Sequence, residues 1–315
     1  MRRLLGSRAL RLAIAVGLTA FLLWQNDPPA IARAAAGAAP SWLLLACGLV
    51  LVDRVLMAWR WIALLRPVMA TPPSNATVVR IFLVSSFVGS FLPASVGSDL
   101  ARAYGLRRED VPGSVAVASV VMDRALGVAA ILLVGLAAVS MLRVPAPSGV
   151  YAIVVGGGAA SLALAGIIFI DAVGERVGAL MTSLPGAVTR SLAARLLAAV
   201  RTYRRHHGVL GAVLGASAAV QTLRILQAWA LGRALGIEAG VAVYFVAIPV
   251  VLLIMLLPIT INGLGTGQAA FLWTFGAAGV DGPASLALSI LFIALGVLGN
   301  LPGAVIYAAR RRSAA

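Results

Sequence analysis

The sequence has no lysine, a single cysteine and few charged residues of either sign. Charged residues make up 11% of its 315 residues, whereas a soluble domain of this size carries about 25%. The cysteine, Cys47, lies in an apolar run, excludes an intrachain disulfide and is expected to act as a small hydrophobe. No polar block is long enough for a separate soluble domain, so we expect none within this chain.

Apolar residues are abundant: 61% of the chain is hydrophobic and the mean hydropathy is +1.02. A helix needs about 20 apolar residues to cross a bilayer, and apolar segments recur along the whole length. The sequence therefore predicts an all-α polytopic membrane protein. The segments are residues 9–24, 41–65, 78–92, 114–142, 149–170, 209–235, 241–257, 268–280 and 284–309.

Arginine supplies the whole basic excess, and the net charge is +15. Arginine accumulates on cytoplasmic loops, so its distribution places both termini in the cytoplasm. Nucleic-acid binding is not expected, because it needs a basic face on a folded soluble module. Arginine in place of lysine, with much alanine and glycine, is typical of a high-GC bacterium and points to the bacterial cytoplasmic (inner) membrane. We interpret residues 9–24 as a retained first helix; the alternative is a cleaved signal peptide.

Two stretches do not fit simple spans. By the charge rule, Val78–Tyr104 begins and ends on the cytoplasmic side, and Val241–Val280 begins and ends outside. Each contains a Leu-Pro…Gly break, so each is predicted to be a re-entrant helical hairpin. About six full spans and two hairpins entering from opposite faces indicate an inverted repeat. The alternative is a pair of proline-kinked spans, with one loop that violates the charge rule.

The chain is accordingly interpreted as one membrane domain, residues 1–315. The first repeat covers about 41–142 and the second about 208–309. Between them, about 182–207 is predicted to be an amphipathic cytoplasmic helix, with Tyr203 on its apolar side and Arg201 and Arg205 on the other. An ordinary solvated linker helix is the alternative.

Charges inside apolar segments are the informative ones, since each costs several kcal/mol unless it is paired or hydrated. Arg60 lies near a helix end and can snorkel to the interface. The remaining charges can pair with sequence neighbours and lock the bundle. Their number instead favours a functional polar cavity. These charges are Asp53-Arg54, Asp99 with Arg102, Asp123-Arg124, and Arg224 flanked by Gln221 and Gln227.

The hairpin breaks support a cavity, because unwound backbone at membrane depth must be buried or line water. Glycines there permit turns, and the following helix N-termini carry partial positive charge, which suits a lipid phosphate. No catalytic set, metal site or cofactor site is found, so an enzyme is not expected; an intramembrane transferase is the minor alternative. The predicted substrate-binding residues are Asp99, Arg102, Asp123, Arg124, Arg224, Gly97, Gly263, Gly265 and Asn262.

Four motifs together resemble the lysylphosphatidylglycerol synthase transmembrane family, the flippase-like domain of the multiple peptide resistance factor. They are Arg60–Leu65, Phe91-Leu92-Pro93…Gly97-Ser98-Asp99…Arg102, Ser119…Asp123-Arg124…Gly127, and Leu257-Pro258…Gly263-Leu264-Gly265, and the likeness covers about Ser41 to Tyr307. The resemblance implies a flippase-like fold and translocation of a lipid or lipid-linked substrate. It carries over Asp99, Arg102, Asp123 and Arg124.

One departure from the family pattern stands out. After Gly-Leu-Gly the family typically has a basic–acidic pair close to Arg-Glu, and Gly267-Gln268 stands there. An identical substrate or an ion-coupled mechanism is therefore in doubt. Aminoacyl transfer, the work of a soluble domain in fused relatives, is not expected.

The expected function is a lipid flippase or transporter for an anionic phospholipid or isoprenoid-type lipid-linked phosphate. The alternative is a non-transporting scaffold or lipid-binding partner of an envelope-biosynthesis enzyme. Membrane lipids are the expected partners, and the sequence is compatible with a homo-oligomer.

Overall fold

The structure is a computed structural model that describes residues 8–91, 96–142, 148–169, 201–203, 205–257, 260 and 263–313. Apart from a short 3-10 turn, the regular elements in these ranges are α-helices. They are α1 (Arg8–Gln25), α2 (Pro28–Ala36), α3 (Pro40–Leu65), α4 (Asn75–Gly89), α5 (Val96–Arg107), α6 (Gly113–Leu142), α7 (Ser148–Phe169), α8 (His207–Ala234), α9 (Val241–Leu256), α10 (Thr266–Gly276), α11 (Gly282–Leu298) and α12 (Leu301–Ser313).

The chain is an all-α polytopic membrane protein, as predicted. Within the described ranges, four helical stretches are long and apolar enough to cross a membrane: Pro40–Val68, Gly113–Leu142, His207–Ala234 and Gly282–Ala309. The other two predicted spans fall on helices α1 and α7. The count of six crossings stays a prediction.

Helices α4 and α5 pack against each other, and so do α9 and α10. They contain 15, 12, 16 and 11 residues. At about 1.5 Å per residue, none of them reaches across a hydrocarbon core of about 30 Å. Each predicted hairpin is thus a pair of short, packed helices. Their entry from opposite membrane faces stays a prediction.

A long, short, short, long order of helices occurs twice, first in α3–α6 and again from α8 to the continuous stretch of α11 and α12. The contacts between the halves are reciprocal: α9 packs on α6, while α12 packs on α4. The two long helices that open the halves, α3 and α8, pack along each other. This order is compatible with the predicted inverted repeat, which stays a prediction.

Two hydrophobic clusters surround the centre of the bundle. One joins α3 to α8–α11, where Trp42 and Trp229 meet edge to face at 5.2 Å and Phe271 stacks on Phe275 at 5.5 Å. The other joins α3–α6 and includes the fully buried Trp61 and Phe82. Because aromatic side chains bury much apolar area, these clusters hold α3 in a fixed position between both halves.

The predicted amphipathic helix, about 182–207, lies largely outside the described residues. In the part that is described, Tyr203 is buried and its hydroxyl donates to the Leu64 carbonyl at 2.8 Å. Arg201 and Arg205 are exposed. These three residues lie on the predicted sides, and Tyr203 ties this segment to the end of α3.

Gly303 is expected to be essential to the packing of α12 on α4. A Cβ at this position would overlap the backbone carbonyl of Leu83 and lie 3.0 Å from the Phe87 Cβ. Gly303→Ala should therefore lower stability by about 1–3 kcal/mol, as overpacking does. Thermal unfolding of the purified protein measures the effect.

Gly48→Ala is the matched control. Gly48 lies in helix α3, and a Cβ there would have nothing within 4 Å. Alanine should leave stability unchanged or raise it by up to about 1 kcal/mol. Equal midpoints for Gly303→Ala and the parent protein would contradict the described α4–α12 contact.

Candidate functional site

Asp123 on α6 is the centre of a buried ion triad. Its Oδ1 accepts from Arg60 Nη2 at 2.8 Å, and its Oδ2 accepts from Arg102 Nη1 at 3.2 Å. Arg60 also donates to the Asp123 carbonyl at 3.1 Å. The three residues are 2–5% exposed. The triad therefore joins α3, α5 and α6, and water cannot replace any member.

Arg102 is additionally held between aromatic rings. Its guanidinium carbon lies 4.7 Å from the Phe82 ring centroid and 5.4 Å from that of Trp61. A cation over an aromatic face is stabilised by the ring quadrupole, and the effect grows when water is excluded. These contacts fix α5 against α3, which carries Trp61, and against α4, which carries Phe82.

Asp99 and Arg124 form a second ion pair between α5 and α6. Arg124 Nε and Nη2 both donate to the Asp99 carboxylate at 2.9–3.1 Å. Arg124 Nη2 also donates to Ser98 Oγ at 3.3 Å. The Arg124 and Asp99 side chains are 34% and 20% exposed. This pair is thus reachable from outside the packed core, unlike the Asp123 triad.

Asp53 connects the two long central helices. Its carboxylate accepts from Arg224 Nε on α8 at 3.2 Å and lies 3.7 Å from Arg54 Nη1. Arg54 Nη2 reaches across to the Gly296 carbonyl on α11 at 3.3 Å. The Asp53 side chain is 1% exposed, whereas those of Arg54 and Arg224 are 17% and 24% exposed. The guanidinium groups, rather than the carboxylate, face the open space.

These charges surround a cavity of about 270 Å³ inside the bundle. Its polar wall comes from α3, α4, α5, α6 and α8, and its apolar wall from α9 and α11. The charged lining residues are Asp53, Arg54, Arg102, Arg124 and Arg224; the apolar lining includes Leu252, Met255, Phe292 and Ile293. Both halves of the predicted repeat therefore contribute to one chamber.

Neutral polar groups complete the lining. Asn300 Nδ2 donates to Ser90 Oγ at 2.8 Å, which links the end of α4 to the α11–α12 junction. Gln227 is 4% exposed, and its Nε2 has no acceptor among the residues the structure describes. The same holds for Arg54 Nε and Arg102 Nε. Asn300 Oδ1, in contrast, is an acceptor without a donor among the described residues. Since buried polar groups are normally satisfied, and three of these four are donors, the lining suits a ligand with more acceptors than donors.

Four of the nine predicted site residues lie on α5 and α6. Arg102 and Arg124 line the cavity, and Asp123 and Asp99 form ion pairs with them. Arg224 lines it from α8. The structure also corrects the alternative pairing for two of the predicted neighbour pairs: Asp99 binds Arg124 instead of Arg102, and Asp123 binds Arg102 instead of Arg124. Only Asp53 and Arg54 pair as neighbours among these, at the longer 3.7 Å.

The predicted glycines have other places. Gly97 was expected at a turn, yet it lies in the first turn of α5 and its φ is not positive. Gly263 and Gly265 have φ of 74° and 85°, so they do form the expected turn before α10. They pack near Met255 and Leu18 and are not among the residues that line the cavity. Asn262 lies outside the described residues.

Sequence reasoning also missed or misplaced residues around the cavity. Arg60 does not snorkel to the interface. It is buried against the carboxylate of Asp123, which is 63 positions away in the sequence and lies on a neighbouring helix. Ser90 and Asn300, which line the cavity, were not singled out in the sequence. Asp53 and Arg54 were among the charges in apolar segments that favoured a polar cavity, but they were not predicted as substrate-binding residues.

Comparison with known proteins bears on this geometry. One protein-family model, described as the Lysylphosphatidylglycerol synthase TM region, matches residues 8–303. The chain belongs to this family. No curated protein matches it. The resemblance read from the motifs is thereby confirmed, and the match extends it to α1. The chain is a multi-pass membrane protein of a family related to lipid biosynthesis.

Gln268, where the sequence departs from the family pattern, has a structural role in this chain. Gln268 is 1% exposed, and its Oε1 accepts a hydrogen bond from the Gly265 backbone N–H. It therefore caps the N-terminus of α10, where helix N–H groups lack internal partners. It is not among the cavity-lining residues. The neutral amide thus stabilises the second hairpin's turn.

We expect Gln268→Glu to be tolerated and Gln268→Ala to be harmful. A glutamate retains an acceptor at a helix N-terminus, where negative charge is favoured. Alanine removes the acceptor, and losing a cap costs about 0.5–2 kcal/mol. Thermal unfolding of the two variants checks the order. If alanine matched the parent while glutamate unfolded, the capping role would be wrong.

Proposed function

We propose that this protein binds the anionic phosphate headgroup of a membrane lipid or lipid-linked substrate and moves it across the membrane. The observation that carries the proposal is the convergence of Arg54, Arg124 and Arg224, from three helices, on one chamber inside a membrane bundle. Charged side chains at membrane depth are costly. Their gathering around a cavity, rather than at the helix ends, supports a ligand of opposite charge.

Phosphate matches the chemistry of this lining. A guanidinium group presents a planar fork of N–H donors that binds phosphate oxygens in pairs. Ser98 and Arg124 lie beside the first turn of α5, whose N-terminus adds partial positive charge. The chamber's 270 Å³ is below the range of about 300–1,000 Å³ for pockets that enclose drug-sized ligands. We therefore place the headgroup inside and the hydrocarbon chains outside.

The Asp99–Arg124 pair suggests how the headgroup enters and leaves. In the structure, the two carboxylate oxygens of Asp99 accept hydrogen bonds from Nε and Nη2 of Arg124. A phosphate oxygen pair has the same charge sign and a similar span. In the proposed cycle, the headgroup displaces Asp99 from Arg124, and Asp99 returns as the headgroup departs. The resting protein then keeps Arg124 paired without a permanently bound ligand.

Reconstituted vesicles test the proposal. The full chain is placed in proteoliposomes with fluorescent anionic or zwitterionic lipids, and movement between leaflets is followed by quenching from outside. Anionic lipids should move faster than in empty vesicles, and Arg224→Gln should slow them. Arg233→Gln, an exposed change on the same helix, is the matched control. Binding without movement would favour the scaffold alternative, and no effect on any anionic lipid would overturn the proposal.

We further propose that the chain resides in a bacterial cytoplasmic membrane with both termini in the cytoplasm. In a Cys47→Ser background, a cysteine at Arg107 should then be shielded from a membrane-impermeant maleimide added to intact cells. A cysteine at Glu238 should be labelled. Both positions are exposed on the protein surface. External labelling at Arg107 would show that α4 and α5 do not return to the side on which they began.

A further inference from the structure

The charges around the cavity do not balance. Five ion pairs join five arginines to only three aspartates, which leaves a formal charge of +2. The arginines are Arg54, Arg60, Arg102, Arg124 and Arg224, and the aspartates are Asp53, Asp99 and Asp123. Asp53, Arg54, Arg102, Arg124 and Arg224 line the cavity, whereas Asp99 and Asp123 pair with lining arginines and Arg60 pairs with Asp123. Within the part of the chain that the structure describes, no further charged side chain lines the cavity.

This excess cannot be removed by releasing protons, because arginine stays protonated in proteins. It is also unfavourable, since uncompensated charge in a low-dielectric bundle destabilises the folded protein. A ligand with one negative charge would leave half of the excess. A ligand with two would neutralise it.

The unsatisfied groups agree with this count. Among the described residues that line the cavity, four buried polar atoms have no partner: Arg54 Nε, Arg102 Nε and Gln227 Nε2 are donors, and Asn300 Oδ1 is an acceptor. Donors therefore outnumber acceptors by three to one. A headgroup made of acceptor oxygens suits the three donors, whereas an ammonium group suits only Asn300 Oδ1 and brings further positive charge. Charge and hydrogen bonding therefore point to the same chemistry.

Resting on the proposed function, we infer that the headgroup is a doubly charged phosphate, such as a terminal phosphomonoester on a lipid chain. A phosphomonoester carries about −1.5 to −2 charges at pH 7, because its second pKa is about 6. A phosphodiester carries one, and an aminoacylated phosphodiester also carries ammonium groups. The site selects the first by charge and by its third terminal oxygen.

The test compares two lipids with identical acyl chains on the purified full chain in nanodiscs of zwitterionic lipid. Phosphatidic acid provides the phosphomonoester, and phosphatidylglycerol provides the phosphodiester. At pH 8 phosphatidic acid should bind at least about tenfold more tightly, the effect of one added hydrogen bond between charged groups. At pH 5 the preference should shrink to within about threefold, since the second proton is then bound.

Charge-altering variants separate net charge from a single lost contact. Arg224→Gln lowers the excess to +1 and should abolish the preference for phosphatidic acid. Adding Asp53→Asn to it removes the partner carboxylate, returns the excess to +2 and should restore the preference. Arg233→Gln on the same helix should change nothing, and thermal unfolding confirms that each variant is folded.

The outcomes distinguish this inference from the proposed function. Equal binding of the two lipids at pH 8, or a double variant that fails to restore the preference while folded, overturns the doubly charged headgroup and leaves anionic-lipid binding intact. If neither lipid binds above the zwitterionic background, the proposed function itself is wrong.

Discussion

Asp123→Asn is expected to destabilise the folded protein by about 3–5 kcal/mol, the usual effect of removing one member of a buried ion pair. The substitution keeps the shape of the side chain but withdraws the charge that compensates both Arg60 and Arg102. Those arginines are 2% and 3% exposed, so water cannot take over. Unfolding of the purified protein, by heat or denaturant, measures the loss.

Two further variants make this prediction specific. Glu109→Gln breaks the Arg80–Glu109 pair, whose side chains are about one-third exposed, and should cost no more than about 1 kcal/mol. Adding Arg102→Met to Asp123→Asn removes one stranded cation and should recover part of the stability. An Asp123→Asn protein as stable as Glu109→Gln would show that the triad does not hold α3, α5 and α6 together.

The fold was predictable to the level of segments because hydrophobicity alone determines them. Apolar runs separated by arginine-bearing loops located the long helices, and the Leu-Pro…Gly breaks located the two pairs of short, packed helices. The breaks did not determine the backbone conformation of each glycine. Gly263 needs its positive φ, but Gly97 is already helical, since a glycine near a proline is equally compatible with a first helical turn.

The site was predictable in composition and not in pairing. Charges in apolar segments identified Asp53-Arg54, Asp99, Arg102, Asp123, Arg124 and Arg224 as a group. Their partners depend on how helices rotate and approach, which local spacing does not determine. Arg224 meets Asp53 across 171 positions, and Arg60 meets Asp123 across 63. Arg60 was therefore recognised as part of the site only when the helices were assembled, and the partners of Asp53 and Arg54 became known in the same way.

The resulting site divides into two layers with different tasks. The Asp123 triad is buried and joins three helices, and only its Arg102 lines the cavity, so its charges hold the architecture and add to the field of the cavity. The Asp99–Arg124 pair and the outward sides of Arg54 and Arg224 are partly exposed, so they can exchange partners. A ligand that displaces a carboxylate must act on the second layer. This division predicts that variants of the two layers fail in different ways.

Asp99→Asn should raise the affinity for an anionic headgroup about tenfold, because Arg124 no longer has a competing carboxylate. Transport should nevertheless fall, since the variant lacks the carboxylate that displaces the departing headgroup from the Arg124 guanidinium. Arg124→Gln should lower both affinity and transport, by about tenfold to a hundredfold, through loss of charge-assisted hydrogen bonds. Lipid binding in nanodiscs and leaflet exchange in proteoliposomes measure the two quantities separately.

Both variants should remain folded, because the Asp99 and Arg124 side chains are 20% and 34% exposed and hydration can compensate a stranded partner. Unfolding midpoints near that of the parent protein would establish this before any transport is compared. The opposite response of affinity to Asp99→Asn and Arg124→Gln is the decisive feature. If both substitutions weakened binding equally, Asp99 would have a role in holding the headgroup or the helices, and displacement of its carboxylate by phosphate would be wrong.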